Sequence, residues 1–187
     1  KVVLDVLGNH QNAGWACFEN EQQAGEFADL VKQTVDKYGL DGVDIDDEYS
    51  TCSTYDDSLV KVASAIKDRM PDKLLTKALF ADASYFDVSW NSTDLGQQLD
   101  YGWEMSYWNT SCTARLDQYV DAGVDTDKLG VGASTVITSA SSARNLAQCA
   151  IDNNFNGGMM VFNVTKDSLS YLQTIWQDVT VQDACLK

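Results

Sequence analysis

Short apolar runs alternate along this chain with longer segments whose apolar residues recur at helical spacing. Val2–Leu7 opens it as a strand. Glu21–Tyr38 carries Phe27, Leu30, Val31 and Val35 at the spacing of one helix face, and Gly39 follows as a stop. Gly42–Glu48 reads as the second strand, and Asp56–Met70 as a helix closed by Pro71, the sole proline. Leu74–Phe80 and Tyr101–Tyr107 supply the third and fourth strands. Thr113–Ala122 is a helix ended by Gly123; Leu129–Ala133 is the fifth strand, followed by a helix from about Ser141 to Asn153. Gly157 and Gly158 announce the sixth strand, Met159–Asn163, and a last helix runs from about Asp167 to Asp178.

Such alternation implies an α/β fold with a parallel sheet, and no linker-like tract divides residues 1–187, which read as one domain. An open doubly wound sheet accommodates six strands. The strand ends favour a different architecture. Gly8-Asn9-His10, Asp46 and Glu48, Tyr107-Trp108, Ser134-Thr135 and Phe162-Asn163 all stand at C-terminal strand tips, where a (β/α)8 TIM barrel builds its site. Six strands do not close that barrel, so two are missing from the expected architecture.

Charge narrows the partners. Against 28 acidic residues stand 13 basic ones, a net charge of −15 that argues against nucleic acid or anionic membrane and reads as a well-solvated surface. No apolar run approaches the ~20 residues of a membrane span. No signal peptide is recognisable at Lys1, so any targeting segment is expected to have been removed or to lie outside this sequence. Cys17, Cys52, Cys112, Cys149 and Cys185 lack the close spacing of a zinc site, and His10 is the sole histidine, so no structural metal is expected. Scattered cysteines in a Ser/Thr-rich, Lys-poor chain suit a secreted, oxidising setting. Sequons at Asn91, Asn109 and Asn163 are compatible with glycosylation. The odd cysteine is free or bonded to something outside the chain.

The most informative segment is Asp41-Gly42-Val43-Asp44-Ile45-Asp46-Asp47-Glu48. Alternation along a strand puts Asp44, Asp46 and Glu48 on one face, successive ones roughly 6.5–7 Å apart, and Val43 and Ile45 on the other. Acids are poor strand formers, and three on one face repel, so a purely structural strand gains nothing here. Crowding does raise carboxyl pKa values, and glycoside cleavage needs a carboxyl that stays protonated beside its leaving oxygen. A solvated edge strand and a calcium or magnesium site are the alternatives. Val43 and Ile45 speak against the first, and the absence of an EF-hand pattern against the second.

This segment resembles the DGxDxDxE motif of glycoside hydrolase family 18, the chitinases and endo-β-N-acetylglucosaminidases. The Asp-Asp-Glu-Tyr ending, where chitinases usually carry Trp at the position of Asp47, is similar to the endo-β-N-acetylglucosaminidase branch typified by bacterial endoglycosidase H. Leu4–Phe18 (LDVLGNHQNAGWACF), Lys37–Tyr49 (KYGLDGVDIDDEY) and Met70-Pro71-Asp72-Lys73 agree with that branch. The resemblance implies that Glu48 is the general acid and base. It implies that Asp46 orients the substrate's own acetamide for attack, and that Asp44 shares a proton with Asp46. That substrate-assisted route uses no protein nucleophile, metal or organic cofactor. Met105-Ser106-Tyr107 resembles the pattern on the family's sixth strand, with Tyr107 directed at the acetamide oxygen. Trp103 and Trp108, taken as aromatics of one strand, are candidates to stack on sugars, and Met105 lies beside them. Phe162 replaces the Trp that floors the chitinase site. Asn163 is expected inside the barrel rather than glycosylated, and Asn9 and His10 are expected to line the cleft.

By the family's pattern Val2–Leu7 corresponds to barrel strand three. The expectation is therefore a chain covering strands 3 to 8, joined by a separate N-terminal fragment of roughly 70–100 residues, judged from the ~250 of a whole barrel. An incomplete sequence is the other explanation. The expected activity is hydrolysis of the β-1,4 bond in the di-N-acetylchitobiose core of N-linked glycans. A chitinase acting on linear chitin, and an inactive barrel binding carbohydrate as a lectin, are the competing readings.

Overall fold

The computed structural model describes residues 1–8 and 12–176. Strands β1 (Val3–Leu7), β2 (Gly42–Asp46), β3 (Leu74–Leu79), β6 (Tyr101–Glu104), β7 (Leu129–Ser134) and β8 (Met159–Phe162) form one wholly parallel sheet in the order β1-β2-β3-β6-β7-β8. Between them run α1 (Glu21–Tyr38), α2 (Ser58–Arg69), α4 (Cys112–Asp121) and α5 (Ala140–Asp152), and α6 (Leu169–Trp176) follows β8. Two-residue strands β4 (Ser89–Trp90) and β5 (Thr93–Asp94) make a small antiparallel ribbon before the short helix α3 (Leu95–Gln98). The arrangement is that of part of a (β/α)8 barrel: every sheet strand neighbours the next in sequence, and no strand pairs β1 with β8 among the described residues.

Local chemistry explains the element ends. The Asn20 side chain accepts from the Gln23 N–H at the start of α1, and Gly39, at φ 63°, closes it in the left-handed conformation that glycine adopts without strain. Its buried face is Ala24, Ala28, Val31 and Val35; Leu30, expected on that face, is exposed. Ser111 and Ser139 cap α4 and α5 in the same way. Two expected strands are shorter than the apolar pattern indicates. The second ends at Asp46, leaving Glu48 in the segment beyond it, and the fourth ends at Glu104, leaving Tyr107 and Trp108 in the turn that follows. Trp103 and Trp108 therefore do not share a strand.

One face of the sheet meets the helices. Val43, Ile45, Leu75, Leu79, Leu129 and Val131 are fully buried there, and this layer is the core. It also contains two ion pairs. Lys77 pairs with Asp82 at 2.5 Å, and Asp82 accepts from the Tyr119 hydroxyl at 2.7 Å. Glu104 pairs with Arg115 of α4, both about 1% exposed. Disulfides join Cys17 to Cys52 and Cys112 to Cys149; Cys185 lies outside the described residues.

Candidate active site

Alternation that sends Val43 and Ile45 into the core turns Asp44 and Asp46 to the opposite, concave face. The register carries this face across the sheet. Asp44 lies beside Asp5 of β1 and Thr76 of β3, and Thr76 donates its hydroxyl to Asp44. Farther along come Ala78, Trp103 and Gly130, then Gly132 and Met160, then Ser134 and Phe162. Glu48 continues above Asp46. The two carboxyls lie within hydrogen-bonding reach of each other, which favours a proton on one of them, and the Tyr49 hydroxyl donates to Glu48.

The electrostatics follow from this crowding. Burial pushes Asp44 up to about 6, with Thr76 opposing and Asp5 reinforcing. Burial and then the charges of Glu48 and Asp5 push Asp46 up to about 7. Partial burial and Glu48 raise Asp5 as well. The crowding therefore favours keeping a proton among these carboxyls toward neutral pH. One oxygen of Asp46, Oδ1, is buried without a hydrogen-bond partner, although buried polar atoms are as a rule satisfied.

Tyr107 reaches the same acids from the turn after β6. Burial, then Asp46 and Glu48, raise its pKa, so its hydroxyl stays a donor at any working pH. Its ring stacks on Phe162, centroids 5.6 Å apart and planes 8° from parallel. Several contacts fix its backbone. The Thr138 hydroxyl donates to the Tyr107 carbonyl at 2.6 Å, while Ser106 donates twice to Glu104. Arg115 donates to the carbonyls of Glu104, Asn109 and Gly132, stitching the turn to β6 and β7. Gly132 makes room: a Cβ there would stand 3.2 Å from Cε1 of Tyr107 and 2.8 Å from the Glu104 carbonyl oxygen.

The remaining candidates separate. Trp103 lies on the concave face, but its indole N–H donates to the Gly157 carbonyl at 2.8 Å and its ring stacks on Tyr101, so it serves the wall of the site. Met105 is buried. Trp108 is 66% exposed at the rim, edge-on to Phe80, and Phe162 is 54% exposed; both offer ring faces to a ligand. Asn163 is exposed at φ 61°, its carbonyl accepting from Thr135. Asn9 and His10 lie outside the described residues. Sequence reasoning passed over Asp5, Phe80 and Gly132. For Asp5 the signal was present, an acid between Leu4 and Val6, which alternation places on the face of its neighbours' acids.

Comparison with known proteins agrees with this fold. The family described as "Glycosyl hydrolases family 18" matches residues 1–183. An "Endo-beta-N-acetylglucosaminidase" of Flavobacterium sp. (strain SK1022) is 36% identical over 177 residues, covering 91% of this chain and 54% of its own length. The chain thus spans about half of that relative. Among solved structures, EndoBT-3987 of Bacteroides thetaiotamicron with Man5GlcNAc product superposes with a TM-score of 0.63 at 26% identity, covering 86% of this chain and 37% of that one. An endo-beta-N-acetylglucosaminidase from Cordyceps militaris, at 19% identity, matches the fold with a TM-score of 0.66 over 94% of this chain and 67% of its own.

Proposed function

The chain belongs to glycosyl hydrolase family 18, and from that premise we propose that it forms the site-bearing part of an endo-β-N-acetylglucosaminidase. The bond cut is the β-1,4 link in the di-N-acetylchitobiose core of an N-linked glycan. The observation that carries the reading is the ladder Asp44–Asp46–Glu48, with Asp46 and Glu48 near enough for their charges to act on Tyr107. Asp46 accepts the N–H of the substrate's 2-acetamido group. Tyr107 donates to the acetamide oxygen and steers it to the anomeric carbon. Glu48 gives its proton to the departing glycosidic oxygen as the acetamide oxygen bonds to that carbon. The resulting oxazolinium cation is stabilised by the carboxylate beneath it. Glu48, now ionised, takes a proton from water as it opens the ring with retention, and the enzyme contributes no covalent nucleophile.

The same reading has the chain supply barrel strands 3 to 8, with two further β/α units of the whole protein seated between β1 and β8. Two disulfides suit an extracellular site of action, and among the described residues no helix is long and apolar enough to cross a membrane.

The test uses the full-length protein on a high-mannose glycoprotein and on chitin oligomers. Loss of glycan mass that leaves one N-acetylglucosamine on asparagine is expected. Cleavage of chitin alone would make it a chitinase, and binding without cleavage of either would make it a lectin. Glu48→Gln should lower the rate by roughly 10³-fold or more while glycan affinity changes little.

A further inference from the structure

The concave face carries four acids, one more than the Asp44–Asp46–Glu48 ladder. Asp5 stands directly across the β1–β2 rung from Asp44. Leu4 and Val6 on either side of it pack into the helix-side core, so Asp5 shares the face of Asp44. Neighbouring strands lie about 4.8 Å apart, which brings the two carboxyls within strong electrostatic reach. Their surroundings differ. Asp44 is enclosed and held by Thr76, whereas Asp5 is exposed on the concave face itself. Partial burial and Glu48 raise Asp5, but the more enclosed Asp44 is the harder to ionise, so of the two acids Asp5 gives up its proton first.

We propose that Asp5 is a positioning residue, a fixed negative charge behind Asp44 that keeps one proton on the Asp44–Asp46 pair through the reaction cycle. The inference rests on the reading of the site given above. The charged and titratable groups around it are few. From β2 and the segment beyond it come Asp44, Asp46 and Glu48; Lys77 of β3 acts on Asp44 from the far side of the sheet; Tyr107 and Tyr49 complete the ring as neutral donors. Asp5 raises the pKa of both Asp44 and Asp46, the direction the role requires. A neutral residue at position 5 would let the pair lose its proton sooner as pH rises. Asp44, Asp46 and the ionised Glu48 would then repel one another at the step where Asp46 must hold the acetamide steady.

The experiment is a pH profile of kcat/KM for the full-length protein on a high-mannose glycopeptide. Asp5→Asn should move the alkaline limb down by about 0.5–1 pH unit, since removing a neighbouring negative charge lowers the pKa of the pair. KM should stay within about twofold, because Asp5 does not touch substrate. Asp5→Glu should restore the limb, and Asp5→Ser stands in should the Asn variant fold poorly. An unmoved limb, or a loss of rate uniform in pH alongside a lower melting temperature, would overturn the proposal. Carboxyl titration by 13C NMR, following Asp44 and Asp46 with and without Asp5, reads the same effect without turnover. If the wild type cleaves no N-glycan, the functional reading fails, and the titration still decides the role of Asp5.

Discussion

Asp44 shows how a single side chain can work against stability in the service of a site. Its folded-state pKa is raised to about 6 by burial, while in an unfolded chain it titrates near pH 4. The native state therefore binds more protons between those values, and stability falls as pH rises from about 4 to about 6, remaining lower above that. Asp44→Asn keeps the shape and still accepts from Thr76. It should raise the unfolding free energy by roughly 1–3 kcal/mol at pH 8 and by little at pH 4, measured by urea unfolding at both values. Activity should fall at both. The three acids of β2 and its extension were legible in the sequence because alternation and composition point the same way. Asp5 was legible only as one acid between Leu4 and Val6, a signal that alternation supplies but that gains meaning only once the register beside Asp44 is known. The orphaned oxygen of Asp46 is a fact of packing, which no local spacing encodes.

At the scale of elements, apolar periodicity located all six sheet strands and the main helices, α1 with the same ends. It passed over β4, β5 and α3, since two-residue strands and a four-residue helix present no period to read. It also gave no hint that the helix-facing side of β6 bears Glu104, because that layer is expected to be apolar. The Glu104–Arg115 pair acts as a bracket for the turn carrying Tyr107, and removing one partner leaves the other charge buried. Arg115→Met should cost about 3–5 kcal/mol in denaturant unfolding. β7 contributes by what it lacks. In Gly132→Ala the new Cβ collides with the Glu104 carbonyl and the Tyr107 ring. The expected result is a loss of about 1–3 kcal/mol in stability and a drop in kcat larger than any rise in KM, read from steady-state kinetics.

At the scale of the molecule, the two sheet edges, β1 and β8, carry no neighbouring strand among the described residues. Along β1 a cavity of about 570 Å³ lies between the strand, the Trp15–Cys17 turn and α1, lined by Val6, Leu7, Trp15, Phe18 and Phe27 among others. It sits on the edge and not in the concave face, where the acids are. Parallel strands are rarely left uncovered, and an open edge pairs with whatever strand it meets. The chain expressed alone should therefore show rapid hydrogen exchange through β1 and concentration-dependent association. In the full-length protein the same amides should be protected, as mass-detected exchange would show. Protection of β1 in the isolated chain at low concentration would contradict the proposed seating of two further units at this edge. The Cys17–Cys52 bridge has a practical consequence for anyone producing the protein. It ties the loop after β1 to the loop after β2, a few residues beyond Glu48, so the approach to the proposed active site is shaped in part by a bond that a reducing cytosol will not form. Material made in ordinary bacterial cytoplasm should emerge with slack loops and muted turnover and recover on oxidative refolding. Export to the periplasm is the better recipe.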